Sequence, residues 1–255
     1  MAGMNIIGDI AGNGDTLERL LDKMPDQQTL LLGDLNDRGP NTKKVYDLVL
    51  SRGIKVLFSN HGHLMLDAYF NKNYYTPGIW LPNGGVATLK SFFPDKEKEI
   101  GKMWRKYLIG NTQWYKTYLK LAKALPKDVI KVEQHALNFL IKDNTLYTHA
   151  PLHPDLTINE ALLLGTHALS AECDKSIIWN RKDPKRRSNF QIFGHNAGDD
   201  VKKYSDAEGI FALCLDTTRS QYLIGLDTKE QKYYREEVME LKDELSKEER
   251  VIAKY

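Results

Sequence analysis

Six residues in this sequence have side chains suited to holding a cation or moving a proton, and each follows directly on a short apolar run: Asp9, Asp34, Asn60, His61, His149 and His195. Carboxylate, amide oxygen and imidazole together suit Mn²⁺, Fe, Zn²⁺ or Ni²⁺ better than Ca²⁺. Asp34 is the natural candidate to bridge two ions; such a pair, ~3.5–4 Å apart, clamps a phosphate and turns water into a nucleophile. Arg38, four residues after Asp34, can take phosphate oxygens bidentately. His61 follows Asn60, so if Asn60 ligates a metal, His61 stands close to a leaving group. Asp37 is placed to orient His61 and raise its pKa. Singly these signals are weak: a lone histidine is more often structural than a ligand, and a Gly-Asp pair usually marks a turn.

The elements that position these residues are legible around them. Asn5 to Gly8, Thr29 to Leu32 and Lys55 to Phe58 read as strands. Between them, Leu17, Leu20, Leu21 and Met24 mark one helix, started by Asp15 or Thr16, and Val45, Leu48 and Val49 mark a second. Strand-helix-strand-helix-strand implies a parallel sheet with covered faces, and ligands bind at the carboxyl ends of such strands. Residues 70 to 125 are rich in aromatics and read as a helical insertion, either a lid or a subdomain that completes the core, with Trp114, Tyr118, Leu121 and Leu125 on one stripe. From Asp128 the pattern turns to short strands: Val129–Glu133, Leu137–Ile141, Leu146–Thr148, Gln191–Phe193, Phe211–Leu215, Tyr222–Leu226 and Lys232–Arg235. They suggest a second, mostly antiparallel sheet. A charged helix is expected over 236–255, docked on the body.

Composition bounds the class. The chain has 255 residues, 42% hydrophobic and 27% charged, as in an ordinary soluble protein, with a net charge of +2. That charge gives no strong nucleic-acid or membrane signal. No apolar run reaches the ~18 residues of a membrane span. Cys173 and Cys214 lie outside any CxxC pattern and read as buried, reduced thiols of a cytoplasmic protein. Met1 to Met4 read as extra residues before a second start at Met4.

Gly8-Asp9-Ile10-Ala11-Gly12, Gly33-Asp34-Leu35-Asn36-Asp37-Arg38-Gly39-Pro40, Ser59-Asn60-His61-Gly62, Thr148-His149-Ala150 and Phe193-Gly194-His195-Asn196 resemble, in order, the motifs of the calcineurin-like metallophosphoesterases. Within that superfamily the chain looks like the phosphoprotein phosphatase branch, with bacterial and phage serine/threonine phosphatases and diadenosine tetraphosphate hydrolases. Trp179-Asn180-Arg181 and Leu215-Asp216-Thr217 match the same branch. The resemblance spans roughly residues 4 to 235 and implies one domain with a four-layer α/β/β/α sandwich. It implies two divalent ions, Mn²⁺ foremost, with Asp9 and Asp34 on the first and Asp34, Asn60, His149 and His195 on the second. It also implies His61 as general acid paired with Asp37, and Arg38 and Arg181 on phosphate.

Two positions depart from the pattern. Ala11 stands where the family has a histidine on the first ion, which weakens that site. It reads as a natural alanine, a substitution made to trap a complex, or a mark of decay. Gly62 stands where the family's GNHE motif has glutamate; His63 is a candidate replacement, and Asn36 a candidate supporting donor. The expected activity is hydrolysis of phosphate monoesters, on a phosphorylated protein or small molecule, by metal-activated water. The alternatives are hydrolysis of diadenosine polyphosphates or 2′,3′-cyclic nucleotides, and a pseudo-phosphatase that binds phosphorylated partners.

Overall fold

The computed structural model describes residues 3–70, 75–164, 173–220 and 222–238. β1 (Asn5–Ile7), α1 (Gly14–Lys23), β2 (Thr29–Leu31), α2 (Thr42–Arg52), β3 (Lys55–Val56) and α3 (Asn60–Phe70) alternate along the chain. β1, β2 and β3 pair in parallel. A helical stretch follows: α4 (Tyr75–Trp80), α5 (Val86–Phe92), α6 (Glu97–Leu108), α7 (Trp114–Lys123) and α8 (Lys127–Gln134). The chain then runs through β4 (Leu140–Lys142), β5 (Thr145–Tyr147), α9 (Ile158–Leu164), β6 (Phe190–Phe193), β7 (Lys202–Asp206), β8 (Gly209–Cys214), β9 (Tyr222–Asp227) and β10 (Lys232–Glu237). The two sheets have the strand orders β10-β9-β1-β2-β3 and β4-β5-β6-β8-β7.

The period of two along each strand builds the layers. Ile6, Leu30, Leu32 and Leu226 face Tyr147, Ile192 and Leu213 in the core between the sheets. Their neighbours Ile7 and Leu31 face the helices, in a core with Leu17, Leu20, Val45, Trp80 and Tyr118. On the far side Leu146 packs with Ala161 of α9, and Phe193 with Tyr204 and Cys214. Helices, sheet, sheet and α9 thus make the four-layer α/β/β/α sandwich that the motifs imply. The stripe Trp114, Tyr118, Leu121 and Leu125 is buried in the same core as the helix-facing side of the first sheet. Each such side chain contributes about 1.5–3 kcal/mol by leaving water.

Several expectations are corrected. Val129–Glu133 is helix, within α8: Val129, Ile130 and Glu133 are its buried residues, a helical spacing that the β-branched side chains disguise. β9 and β10 do not extend the second sheet. β9 lies antiparallel to β1 and carries β10 onto the first sheet's edge, so that sheet is mixed. The second sheet is mixed too, because β5, β6 and β8 run parallel. β7 escapes the hydrophobic pattern because four of its five residues, Lys202, Lys203, Ser205 and Asp206, are exposed on an edge strand. The cap position of α1 is Asn13, ahead of Asp15 and Thr16. The charged helix cannot begin at 236, since β10 runs to Glu237 and the Glu236 carboxylate binds Arg19 and Lys23 of α1. The rest of that stretch, 239–255, lies outside the described residues, as does the side chain of Cys173. Cys214 is a buried free thiol. No helix among the described residues is long and apolar enough to cross a membrane.

Candidate metal centre

The residues singled out from the sequence sit at one end of both sheets. Asp9, Asp34 and Asn60 follow β1, β2 and β3; His149 and His195 follow β5 and β6. The turns that present them are bent. Ala11, Asp34, Asp37, Arg38 and His195 are five of the eight described non-glycine residues at positive φ. Such backbone costs about 1–3 kcal/mol per residue and persists only where its surroundings enforce it. Here the first two turns lace together: Ala11 N–H donates to Asp34 O (2.6 Å), Gly39 N–H to Ala11 O (2.8 Å) and Asn41 N–H to Gly12 O (2.9 Å).

Asp9, Asp34 and His149 bring one donor atom each within 4.8 Å of one another. His149 Nδ1 lies 2.8 Å from Leu32 O, and a carbonyl only accepts, so Nδ1 carries the proton. Burial holds the ring's pKa below the usual value, so the imidazole is neutral. Its Nε2 lone pair then faces Asn60 Oδ1 at 2.8 Å and Asp34 Oδ1 at 3.4 Å. His195 Nδ1 stands 3.1 Å from the same amide oxygen. Burial, then His149 and Arg181, push His195 down to about 2, so it too is neutral. Electron-pair donors that face one another this closely fit a shared cation. With metal–ligand distances of ~2.1 Å, neighbouring ligands stand ~3.0 Å apart in an octahedron and ~3.4 Å in a tetrahedron. The spacings among Asp34, Asn60 and His149 are those of ligands to one divalent ion, and His195 stands beside the Asn60 oxygen.

Asp9 and Asp34 are what the structure offers a second. Burial, then Asp216 and Asp34, raise the Asp9 pKa well above the carboxylate range. Asp34 is held below that range: burial opposes ionisation, but His61, His149, His195 and Arg38 outweigh it. Ala11 adds no donor and borders a cavity of about 240 Å³ that also touches Asp9, Asn13 and Arg38. Its φ of 46° suits histidine better than most side chains. Ala11→His is expected to tighten binding of a second Mn²⁺ by about 10–100-fold, the effect that supporting residues have on metal affinity. A calorimetric titration checks this; unchanged stoichiometry and affinity would contradict it.

Beside the cluster is a proton-handling pair. His61 Nδ1 lies 2.6 Å from Asp37 Oδ2, and Nε2 accepts from Arg38 Nη2 at 3.1 Å. Burial works against the charged ring, but Asp34 and the hydrogen-bonded Asp37 outweigh it, and the His61 pKa lies above 6.5. Asn36 donates to His61 O at 3.3 Å. Arg181 is exposed and donates to His195 O at 3.0 Å, so both arginines flank the cluster.

Sequence reasoning missed what anchors Asp37. Trp80 Nε1 donates to its Oδ1 and Oδ2 at 3.0 and 3.1 Å, and Thr88 Oγ1 donates to Oδ1 at 2.8 Å. Both come from the aromatic stretch, and Gly84 lets that stretch close in: a Cβ there would meet Arg38 N at 2.6 Å. Asp216 was visible only as part of a motif; it is buried next to Asp9, its Oδ1 accepting from Thr218 N–H and Oγ1. His63 turns edge-on to Phe58, with ring centroids 6.2 Å apart. His135 is exposed against its own helix, His153 is buried under Arg187, and His167 lies outside the described residues.

No protein-family model matches the chain, and no curated protein matches it. Among solved structures, the crystal structure of "a putative diadenosine tetraphosphatase" superposes with a TM-score of 0.58 at 16% identity, over 94% of this chain and 95% of that one. A metallophosphoesterase from Sphaerobacter thermophilus gives a TM-score of 0.44 at 13% identity, over 93% of this chain and 88% of that one. At such identity the first likeness is one of fold; function has to come from the residues.

Proposed function

We propose that the chain is a metal-dependent phosphoesterase that hydrolyses phosphate monoesters. The observation that carries this is the close approach of His149 to both Asn60 and Asp34, with His195 beside Asn60, next to a buried His61–Asp37 pair. A divalent cation held there supplies Lewis-acid polarisation of a phosphoryl oxygen and lowers the pKa of water. Arg38 and Arg181 stand at the exposed rim, where two guanidinium groups can bind the other phosphoryl oxygens. His61 Nε2 accepts from Arg38 in the free protein; once Arg38 turns to phosphate, that nitrogen can take up a proton from solvent and pass it to the leaving oxygen. Asp37 keeps the ring oriented and favours its protonated form. A pure binder of phosphorylated partners would have no use for this pair, which disfavours the pseudo-phosphatase.

The second reading, hydrolysis of a dinucleotide polyphosphate, is favoured by the cavity beside Asp9 and Arg38, whose wall includes Tyr222, Leu223 and Thr218. An aromatic and apolar wall with hydroxyls suits a nucleoside. The solved structure of similar fold carries a name of that kind. Turnover of p-nitrophenyl phosphate with Mn²⁺, alongside product analysis on diadenosine tetraphosphate, tests both. Release of nitrophenol without cleavage of the dinucleotide is the expected result. No turnover of either with any divalent ion would contradict the phosphoesterase reading.

A further inference from the structure

Gly62 lies in the first turn of α3, directly after Asn60 and His61. The motif this segment resembles has a carboxylate at that position, and here the residue has no side chain. The space is nevertheless full. A Cβ built on Gly62 would stand 2.1 Å from Glu133 Oε2 and 3.3 Å from Ser59 Oγ. Glu133 comes from α8, far along the chain, and is 1% exposed. Its Oε1 accepts from the buried Tyr46 hydroxyl at 2.6 Å. Its Oε2 is buried without a hydrogen-bond partner among the described residues and points at the start of α3.

That start of α3 carries the chemistry. His61 N–H donates to Asp34 Oδ1 (3.3 Å), Gly62 N–H to Ser59 Oγ (3.1 Å) and His63 N–H to Ser59 O (2.8 Å). These are the first amides of a helix, the end where a carboxylate is favourable. Moving this turn by a few tenths of an ångström moves Asn60 Oδ1 relative to His149 and His195, and His61 relative to Asp37.

We propose that Glu133 is a positioning residue for Asn60 and His61: the carboxylate that the motif places at residue 62 is delivered here by α8, through the gap that Gly62 leaves. Positions 62 and 133 are then mutually exclusive, since both cannot carry a side chain into one space. Burial, together with Asp34 and Asp37, raises the Glu133 pKa to about 7 against the opposing Tyr46 hydrogen bond, so the group is sensitive to its electrostatic surroundings. His63, the candidate replacement at the sequence level, is turned to Phe58 instead.

The kinetic part of this inference rests on the phosphoesterase reading; the metal part does not. The test is a four-member cycle in the full chain: the parent protein, Glu133→Ala, Gly62→Glu and the double variant. Mn²⁺ affinity is measured by calorimetry, and kcat and KM with p-nitrophenyl phosphate. Each single variant is expected to weaken Mn²⁺ binding about 10–100-fold, as loss of a supporting partner does, and to lower kcat more than it raises KM. The double variant is expected to return both to within about three-fold of the parent, the coupling that contacting residues show. Glu133→Gln, which keeps the shape, is expected to stay near the parent. Should Gly62→Glu alone fail to fold, Gly62→Ala with and without Glu133→Ala asks the same question with one methyl group. Parental metal affinity and kcat in Glu133→Ala, or a double variant no better than its worse single, would overturn the proposal. Absent turnover in the parent would overturn the phosphoesterase reading while the metal cycle still decides this one.

Discussion

Replacing His61 with alanine is expected to lower kcat by about 10²–10⁴-fold on a phosphate ester with a poor leaving group, the range of a general acid. Mn²⁺ affinity should change far less. The ring is 3% exposed, is fixed by Asp37 at 2.6 Å, and its Nε2 lies 3.9 Å from Asp34 Oδ2, outside the group of facing donors. An acid matters most when the departing oxygen is basic. The loss should therefore be larger for phenyl phosphate or a phosphoserine peptide than for p-nitrophenyl phosphate, and a uniform loss across leaving groups would contradict the assignment. Since the His61 pKa is raised above 6.5, its acid form persists to higher pH than an ordinary histidine's. The rate limb that needs this proton should fall only as pH rises past that raised value. In Asp37→Asn that limb should move to lower pH, because the carboxylate that favours the charged ring is gone.

Trp80 carries the largest expected effect on stability. It is 0% exposed, packs edge-on against Tyr118 and donates to both oxygens of Asp37. Trp80→Ala removes this packing and should cost about 3–5 kcal/mol in denaturant unfolding. Trp80→Phe retains most of the apolar contact but leaves the buried Asp37 short of a donor, a penalty of about 1–3 kcal/mol. The two variants separate packing from positioning: Phe should preserve most of the fold yet impair the His61-dependent rate. A loss below about 1 kcal/mol in Trp80→Ala would mean that the aromatic helices are not part of the core.

The site was legible because strand ends are marked twice, by an apolar run and by the polar residue that closes it. Asp9, Asp34, Asn60, His149 and His195 could be collected in this way before any geometry was known, and the structure brings them to one place. What supports them was not legible. Trp80 and Thr88 read as ordinary members of an aromatic, helical stretch, because nothing local says which acceptor an indole N–H will meet. Glu133 was hidden twice: its segment reads as a strand through Val129 and Val132, and its partner Gly62 reads as a loss. The pairing of β9 with β1 is a long-range choice that no window on the sequence contains. A continuous apolar run was dependable where a strand is covered on both faces, as at Leu30, Leu31 and Leu32, and the hydrophobic signal failed at β7, where an edge strand exposes most of its residues.

Calorimetric titration of metal-free protein with Mn²⁺ tests most directly whether His149, His195, Asn60 and Asp34 form a site for a divalent cation. The parent protein should bind one ion tightly, with a second bound more weakly through Asp9 and Asp34, and His149→Ala should abolish the tight event while the protein stays folded. No binding by the parent, or tight binding that His149→Ala leaves unchanged, would contradict the assignment of this cluster as a metal centre.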